Sequence, residues 1–595
     1  MKDSIFKRSF MRISGSVDRR IGWDHLPKPL ALVVLIGVRM TLRRQNLFDP
    51  AGESVAWGPN VPPPGPRPLA RSIDGTDNDL HLPEMGSAEM ILGRNVPISE
   101  TYPNSVLEPN PRTISVELLA RKKFIPAPTL NVLAASWLQF EVHDWFSPGT
   151  TEPADQFVVD LEPSDPWSYE RPMRVERTKQ GPPTLDGGPP TYRNTETHWW
   201  DASQVYGSTR LVEEMLRAPG GRLELADGLV PFNPAELKFS PESGVDLAGV
   251  NGNWWVGLAM LHTLFMREHN AICDHLASTH PEFTDDQLYD HARLINAAQM
   301  AKIHTVEWTP ALLSNPVLQT AMRSNWWGLA GERVKRRFGR ISNNEEVSGI
   351  PGSRTFHHGA PYAMTEEFVA VYRMHPLIPD DYEFRRVADN TLIAGHGFDK
   401  LVGNQVDGII KSVAMSDLFY SFGIAHPGAI VLHNYPNHLR EFTRPDQVTI
   451  DLATYDIVRS RERGVPRYND FRRKFHMKPA ATFEEICRDP DVVADLRRIY
   501  RDPEAVDLMV GLYAENPPSG FAFSDTAFRV FVLMASRRLK SDRFFTYDYR
   551  PEVYTREGLR WIDESTMSAV LLRHYPELGP ALRGVKNAFA PWNTV

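Results

Sequence analysis

VGLAMLHTLFMREHNAICDHLAS, residues 256–278, is too long and too rich in Ala, Leu and Met for a strand, and its apolar positions recur at helical spacing. DDQLYDHARLINAAQMAKIHTVEWTPALL, residues 285–313, repeats the pattern after a short break. Upstream, from about residue 114, SVELLARKKFIPAPTLNVLAASWLQFEVHDWF shows two more helical segments separated by a proline break. Downstream, DLATYDIVRSRERG (451–464), EAVDLMVGLYAE (504–515) and TAFRVFVLMASRRL (526–539) add further helices. Neither an internal repeat nor a series of strands stands out, so the expected fold is mainly α, with a single large helical domain. Residues 46–113, rich in Pro, Gly, Asn and Asp, read as an irregular arm wrapping that body. Residues 147–197, with QGPPTLDGGPP at 180–190, read as loop.

The 595 residues, 42% hydrophobic and 24% charged, are ordinary for a folded protein with a large core. A net charge of −8, with Lys and Arg scattered among Asp and Glu, gives no footprint for nucleic acid. Cys273 and Cys487 offer neither a disulfide framework nor a CxxC pair, which fits a reducing compartment, and no CxxCH motif is present for covalent haem attachment. MKDSIFKRSFMRISGSVDRR is basic but lacks the apolar centre and cleavage site of a secretory signal. LPKPLALVVLIGVRMTLRR, residues 26–44, is apolar between basic ends but falls short of the roughly 20 residues that span a bilayer. It is either a core-packed helix or one that dips into a single leaflet. The expected location is intracellular, either cytoplasmic or peripheral to a membrane, with no obligate protein partner.

Two short segments concentrate the chemistry. VYRMHPLIPD, residues 371–380, sets Tyr372 three positions before His375; on a helix this places a phenol beside an imidazole able to hold a metal. Pro376 disfavours helical conformation in the residue before it, so that helix is expected to end near His375. In WLQFEVHDW, residues 137–145, Gln139 and His143 are four apart and share a helical face. The two segments together suggest a haem between two histidines with unequal roles. Taken singly, Tyr372 reads as a buried aromatic and His143 as one of 19 histidines.

The chain resembles the cyclooxygenase and peroxidase superfamily of haem proteins, and within it the fatty-acid α-dioxygenases. The resemblance is carried, in order, by ARKKFI, AASWLQFEVHDW, WWDASQVYGS, LHTLFMREHNAICD, ARLINAAQMAKIHTVEWT, YRMHPLIPD, RERGVPRYNDFRR and GFAFSDTAFRVFVLMASRRLKSDRFF. It implies an N-terminal segment at 1–113 and a haem-dependent catalytic domain at 114–595. It further implies haem b, with His143 as the distal histidine, Gln139 as the distal glutamine, His375 as the proximal iron ligand and Tyr372 as the tyrosine that becomes a radical. Arg537 and Arg538, with His304 and Thr309, match the group that holds the carboxylate of a long-chain fatty acid; Arg provides a planar fork for such an anion. Thr197, the Trp199 carbonyl, Asp201, Ser203 and Asp144 match a Ca²⁺ site, and hard oxygen donors suit that ion. Without the resemblance, 197–203 reads as a polar loop.

The implied activity is oxidation of fatty acids by O2 at the α carbon, started by a peroxide activator and giving 2-hydroperoxy acids. VNGNWW at 250–255 lacks the arginine of the halide-oxidising peroxidases, which argues against that branch. Arg267 and Glu268 of REHN read as structural ion-pairing residues. Two other readings stay open: a haem peroxidase or tailoring oxygenase for another acidic or phenolic metabolite, and a haem-binding or membrane-associated scaffold without catalysis.

Overall fold

A computed structural model describes all residues except 1–4, 53, 103–104, 148, 150, 183–187, 234–243 and 445–446. Part of the 180–190 stretch therefore lies outside the described residues.

The chain folds as a mainly helical body. The helices that position the candidate site are α1 (Ile5–Ile21), α2 (Lys28–Gln45), α3 (Val132–Trp145), α4 (Val256–Thr279), α5 (Asp285–Ile303), α6 (Glu366–Val371) and α7 (Asp525–Ser541). Local sequence sets where they begin. Thr284 opens α5 with a reciprocal cap, in which its side chain accepts from Gln287 N at 3.3 Å while Gln287 Oε1 accepts from Thr284 N at 2.9 Å. Asn131, Thr365 and Ser524 cap α3, α6 and α7 through side-chain oxygens that take otherwise orphaned backbone N–H groups. α4 packs on both α3 and α5, and it buries sixteen of its residues, from Val256 to Leu276. Each large apolar side chain so buried contributes roughly 1.5–3 kcal/mol.

One apolar core runs from Trp23 to Trp592 and includes the buried face of α2: Ala31, Val34, Leu35, Val38 and Leu42. One face of the 26–44 stretch is thus core-packed, and the other is open. The N-terminal hairpin is also clamped onto α7, because Trp23 donates to Asp525 at 3.0 Å and Arg529 pairs with Asp18 at 2.8 Å. Along the hairpin, Ile5, Phe6, Ile13, Leu30 and Val33 remain exposed. No helix among the described residues is long and apolar enough to cross a membrane.

Two expectations need correction. Strands do occur, as four two-stranded antiparallel ribbons among the described residues, and the largest pairs Thr151–Val159 with Met173–Thr178 inside the stretch read as loop. Phe157, Val159, Met173 and Val175 alternate onto one face of this ribbon and close a small separate core against Tyr455 and Val458. The helix before His375 also ends earlier than its sequence suggests. α6 stops at Val371, Tyr372 caps it, and His375 opens a 3₁₀ turn, His375–Leu377. Met374, at φ −113° and ψ 36°, has left helical geometry, so the phenol and the imidazole stand on successive short turns rather than on one helical face.

Candidate active site

On α3, Gln139, Val142 and His143, with Phe146 just beyond its end, are half-buried, whereas Trp137, Leu138, Phe140, Glu141, Asp144 and Trp145 are buried. The spacing of the half-buried residues is one helical stripe, so this face of a core helix looks onto an internal space. The His143 ring opens on that space and not on bulk water. Burial pushes its pKa down to about 4, opposing the Val250 carbonyl that favours the protonated ring. Its Nδ1 has no hydrogen-bond partner. Gln139 is fixed beside it: its Oε1 accepts from Trp255 Nε1 at 2.8 Å, and its Nε2 donates to the Asn253 carbonyl at 3.3 Å.

His375 is also partly open, with 30% of its side chain uncovered between the buried residues Met374 and Pro376. Its Nδ1 lies 2.9 Å from Asp456 Oδ2, an ion-pair approach in which the ring N–H is not aimed at the oxygen. Asp456 also accepts from the Tyr435 hydroxyl at 3.0 Å and pairs with Arg373. Burial opposes ionisation of Asp456, but His375 and Arg373 together hold its carboxyl below the usual range. With Nδ1 2.9 Å from a carboxylate, Nε2 is the nitrogen left for a metal, and a nearby carboxylate is a common companion of a ligating histidine. Two half-buried imidazoles, one with an orphaned nitrogen and one beside an aspartate, have the chemistry to hold a haem.

Tyr372 is buried within a cage of rings, stacked on Phe531 at 4.6 Å, tilted on Phe368 at 4.4 Å and edge-on to Trp145 at 5.0 Å. Burial raises the pKa of its phenol well above the ordinary value, so it stays protonated. Phe531 and Arg538 are two turns apart on α7 and so share a face. The Arg538 guanidinium sits over the Trp145 and Trp200 rings at 4.0 and 4.1 Å. Through Trp145, the Tyr372 ring centre and Arg538 Cζ lie no more than about 9 Å apart.

Arg538 is only 2% exposed, and its Nε and Nη2 have no partner. A buried, permanently charged fork with free donors calls for an anion. Its neighbour Arg537 is used differently, donating to the carbonyls of Ala360 and Pro361 at 3.0 and 2.7 Å. Arg537 thus keeps one unpartnered buried donor, Nε, against two on Arg538.

The remaining residues of this group are brought together by a π turn, His304–Trp308. In an α-helix, positions five apart would diverge; here Thr309 N bonds to the His304 carbonyl and aligns the two. His304 accepts from Trp137 Nε1 at 3.2 Å and faces Trp145 and Trp200 at 5.0 and 5.3 Å. Burial, then the charge of Arg538, push its pKa well below the ordinary value, so it is neutral.

Behind α3, two buried carboxyls meet. Asp144 Oδ1 accepts from Ser203 N at 2.6 Å and from Ser203 Oγ at 3.1 Å, while its Oδ2 has no partner. Asp201 accepts from Thr197 Oγ1 at 2.8 Å and faces Arg293 at 3.4 Å. Burial first, then mutual repulsion with Asp201, raise the Asp144 pKa well above the usual range. Trp199 is held by its indole N–H on the Gly75 carbonyl at 2.9 Å, and Gly86, at φ +73°, leaves room for its ring, which a Cβ there would meet at 2.5 Å. No three Asp, Glu, His or Cys side chains converge as a metal cage among the described residues. An ion at this pair would need hydroxyl and carbonyl oxygens to complete its shell, which suits Ca²⁺.

Glu268 accepts from Trp561 at 2.9 Å, lies 2.8 Å from His574 and pairs with Arg573. Arg267 instead lies over the Tyr575 ring at 5.1 Å, so only the glutamate is ion-paired as expected. Asp456, Glu141, Trp145 and Trp200 were not singled out in the sequence. Glu141, Trp145 and Trp200 sit inside the quoted motifs but carry no local mark of their role, and nothing in local spacing links Asp456 to His375.

Residues 70–587 match the family model of the animal haem peroxidases. Alpha-dioxygenase 2 of Arabidopsis thaliana is 38% identical over 619 residues, covering 100% of this chain and 94% of that protein. An alpha-dioxygenase of Oryza sativa subsp. japonica is 35% identical, covering 100% and 97%. The crystal structure of the Arabidopsis thaliana fatty acid alpha-dioxygenase superposes with a TM-score of 0.90 at 33% identity, over 100% of this chain and 93% of that one. A rice fatty acid alpha-dioxygenase with a tyrosine-to-phenylalanine substitution, solved with palmitic acid, gives the same TM-score at 33% identity, over 100% and 98%.

Proposed function

Because this chain belongs to the animal haem peroxidase family, and within it to the alpha-dioxygenases, we propose that it oxidises long-chain fatty acids with O2 at the α carbon through Tyr372. The observation that carries the substrate class is Arg538, a buried guanidinium with two unpartnered donors within about 9 Å of the Tyr372 ring.

A haem, for which His375 would be the iron ligand and His143 the acid–base group, would supply the oxidising power once a peroxide activator is present. His143, neutral down to about pH 4, accepts the proton of the incoming peroxide, with Gln139, itself pinned by Trp255, one turn away on the same helical face. His375, beside Asp456, provides the imidazole nitrogen for the iron. Tyr372 would give one electron and one proton to the oxidant that the peroxide-activated haem supplies, leaving a phenoxyl. Its cage of Phe368, Phe531 and Trp145 keeps water from the phenoxyl.

A carboxylate on Arg538 would place its carbon about 4 Å from Cζ, with C2 one bond further toward the phenol. The phenoxyl oxygen takes one hydrogen atom from C2 and becomes phenol again. O2 adds to the carbon radical, and the resulting peroxyl group takes back a hydrogen atom from Tyr372, which restores the radical and releases the 2-hydroperoxy acid. Loss of CO2 and water from that product, with cleavage of the O–O bond, leaves an aldehyde one carbon shorter. His304, neutral, and Thr309 complete the hydrogen bonding of the carboxylate. Asp144 and Asp201, with nearby hydroxyl and carbonyl oxygens, would hold a Ca²⁺ that would tie the 197–203 loop to α3.

Ile5, Phe6, Ile13, Leu30 and Val33, exposed beside Lys7, Arg8 and Arg12, form a peripheral membrane contact from which an apolar substrate is taken up. Oxygen uptake with a long-chain fatty acid tests the reading. Tyr372→Phe abolishes uptake, and undiminished uptake in that variant contradicts the radical role. Steady guaiacol oxidation without uptake on any fatty acid would instead favour a peroxidase for phenolic metabolites.

A further inference from the structure

Glu141 lies on α3, turned away from the stripe that holds Gln139 and His143, and is 0% exposed. Its Oε2 accepts from Trp200 Nε1 at 2.8 Å, while its Oε1 has no partner. Trp200 stands at 90° to Trp145, and the Arg538 guanidinium lies in the corner between the two indoles. Trp145 has no hydrogen bond on its indole N–H, so its place is set by packing. Trp200 is the wall of the corner that a polar contact holds. A buried carboxyl without a salt bridge is costly, and here its one hydrogen bond is spent on that wall.

We infer that Glu141 is a positioning residue for carboxylate recognition, acting through its hydrogen bond to Trp200 to fix the indole that aims the free N–H groups of Arg538. The inference rests on Arg538 as the carboxylate anchor. Glu141 touches neither substrate nor cofactor; losing it loosens the corner and weakens binding while leaving the phenol and the histidines in place.

The test is direct binding of radiolabelled palmitic acid by equilibrium dialysis in haem-loaded Tyr372→Phe protein, which does not turn over. Glu141→Leu is expected to raise Kd about tenfold, the scale of one lost buried hydrogen bond. Trp200→Phe, which keeps the ring and removes the N–H, should match it. Glu141→Gln, which keeps an acceptor oxygen, should stay within about threefold of the parent. In otherwise native enzyme the same ordering should appear in KM, with kcat falling less than twofold. Unchanged Kd in both Glu141→Leu and Trp200→Phe overturns the inference, as does Glu141→Gln binding as poorly as Glu141→Leu. Absence of binding in the Tyr372→Phe parent overturns instead the reading of Arg538 on which it rests.

Discussion

Replacing Arg538 by methionine separates substrate recognition from fold stability. In the resting protein the guanidinium gains three cation–π contacts, at 4.0, 4.1 and 5.7 Å, worth roughly 0.5–2 kcal/mol each. Against this stand two buried donors without partners, Nε and Nη2, at a cost of about 1–3 kcal/mol apiece. These terms nearly cancel, and methionine refills most of the volume against the same indoles, so the melting temperature should move by no more than about 3 °C. The substrate loses far more. Truncating one partner of a buried, hydrogen-bonded charge pair costs about 2–5 kcal/mol, or roughly 30-fold to several thousand-fold in kcat/KM. Oxygen-electrode assays with palmitic acid measure that loss, while peroxide-driven guaiacol oxidation serves as a control that should stay within about twofold because the histidines are untouched. A kcat/KM within fivefold of wild type would refute the anchoring role. A fall in melting temperature of 10 °C would show that Arg538 holds the fold together.

His375→Ala should bind haem without its proximal ligand, so reconstitution yields a weakened or absent Soret band while far-ultraviolet circular dichroism is retained; a normal Soret spectrum would contradict the assignment. Ca²⁺ should raise the melting temperature of wild type, by about 2.7 kcal/mol of stability at one hundred times Kd, and Asp201→Asn should abolish the increment; an equal increment in the variant would place the ion elsewhere. Glu307 is buried, and burial raises its pKa to about 7, against the Met567 N–H and Lys302 that lower it. A carboxyl with a folded pKa above its unfolded value contributes stability below about pH 4.5 that is lost as pH rises through about 7. Glu307→Gln should therefore match wild type near pH 4.5 and exceed it by up to about 3 kcal/mol at pH 8.5 in denaturant melts. A gain independent of pH would show that the carboxyl is not the cause.

The helices were legible because α4 and α5 carry long apolar recurrences that no other structure can bury, and because Thr284, Asn131 and Ser524 mark where helices start. The ribbon at Thr151–Val159 was not, because its alternation is short and sits among prolines and glycines, with its buried face packed on Tyr455 and Val458 some three hundred residues away. The end of α6 was misplaced by four residues, since the constraint that Pro376 imposes fell on a chain already leaving the helix at Tyr372. Spacing placed Gln139 and His143 on one face, which α3 bears out, and could not distinguish Arg537 from Arg538. That distinction depends on which carbonyls lie opposite each side chain, a property of the loop at 360–363 and not of the helix itself. Asp456 and Glu141 are tertiary partners of His375 and Trp200, and sequence separation hides both.

The most direct test of Tyr372-driven oxidation at C2 is mass spectrometry of the products from haem-loaded enzyme given palmitic acid, a trace of peroxide and ¹⁸O2. The account predicts a 2-hydroperoxy acid with both labelled oxygens on C2, together with the aldehyde one carbon shorter, and neither product from Tyr372→Phe. Label at a mid-chain carbon, or the same products from Tyr372→Phe, would contradict it.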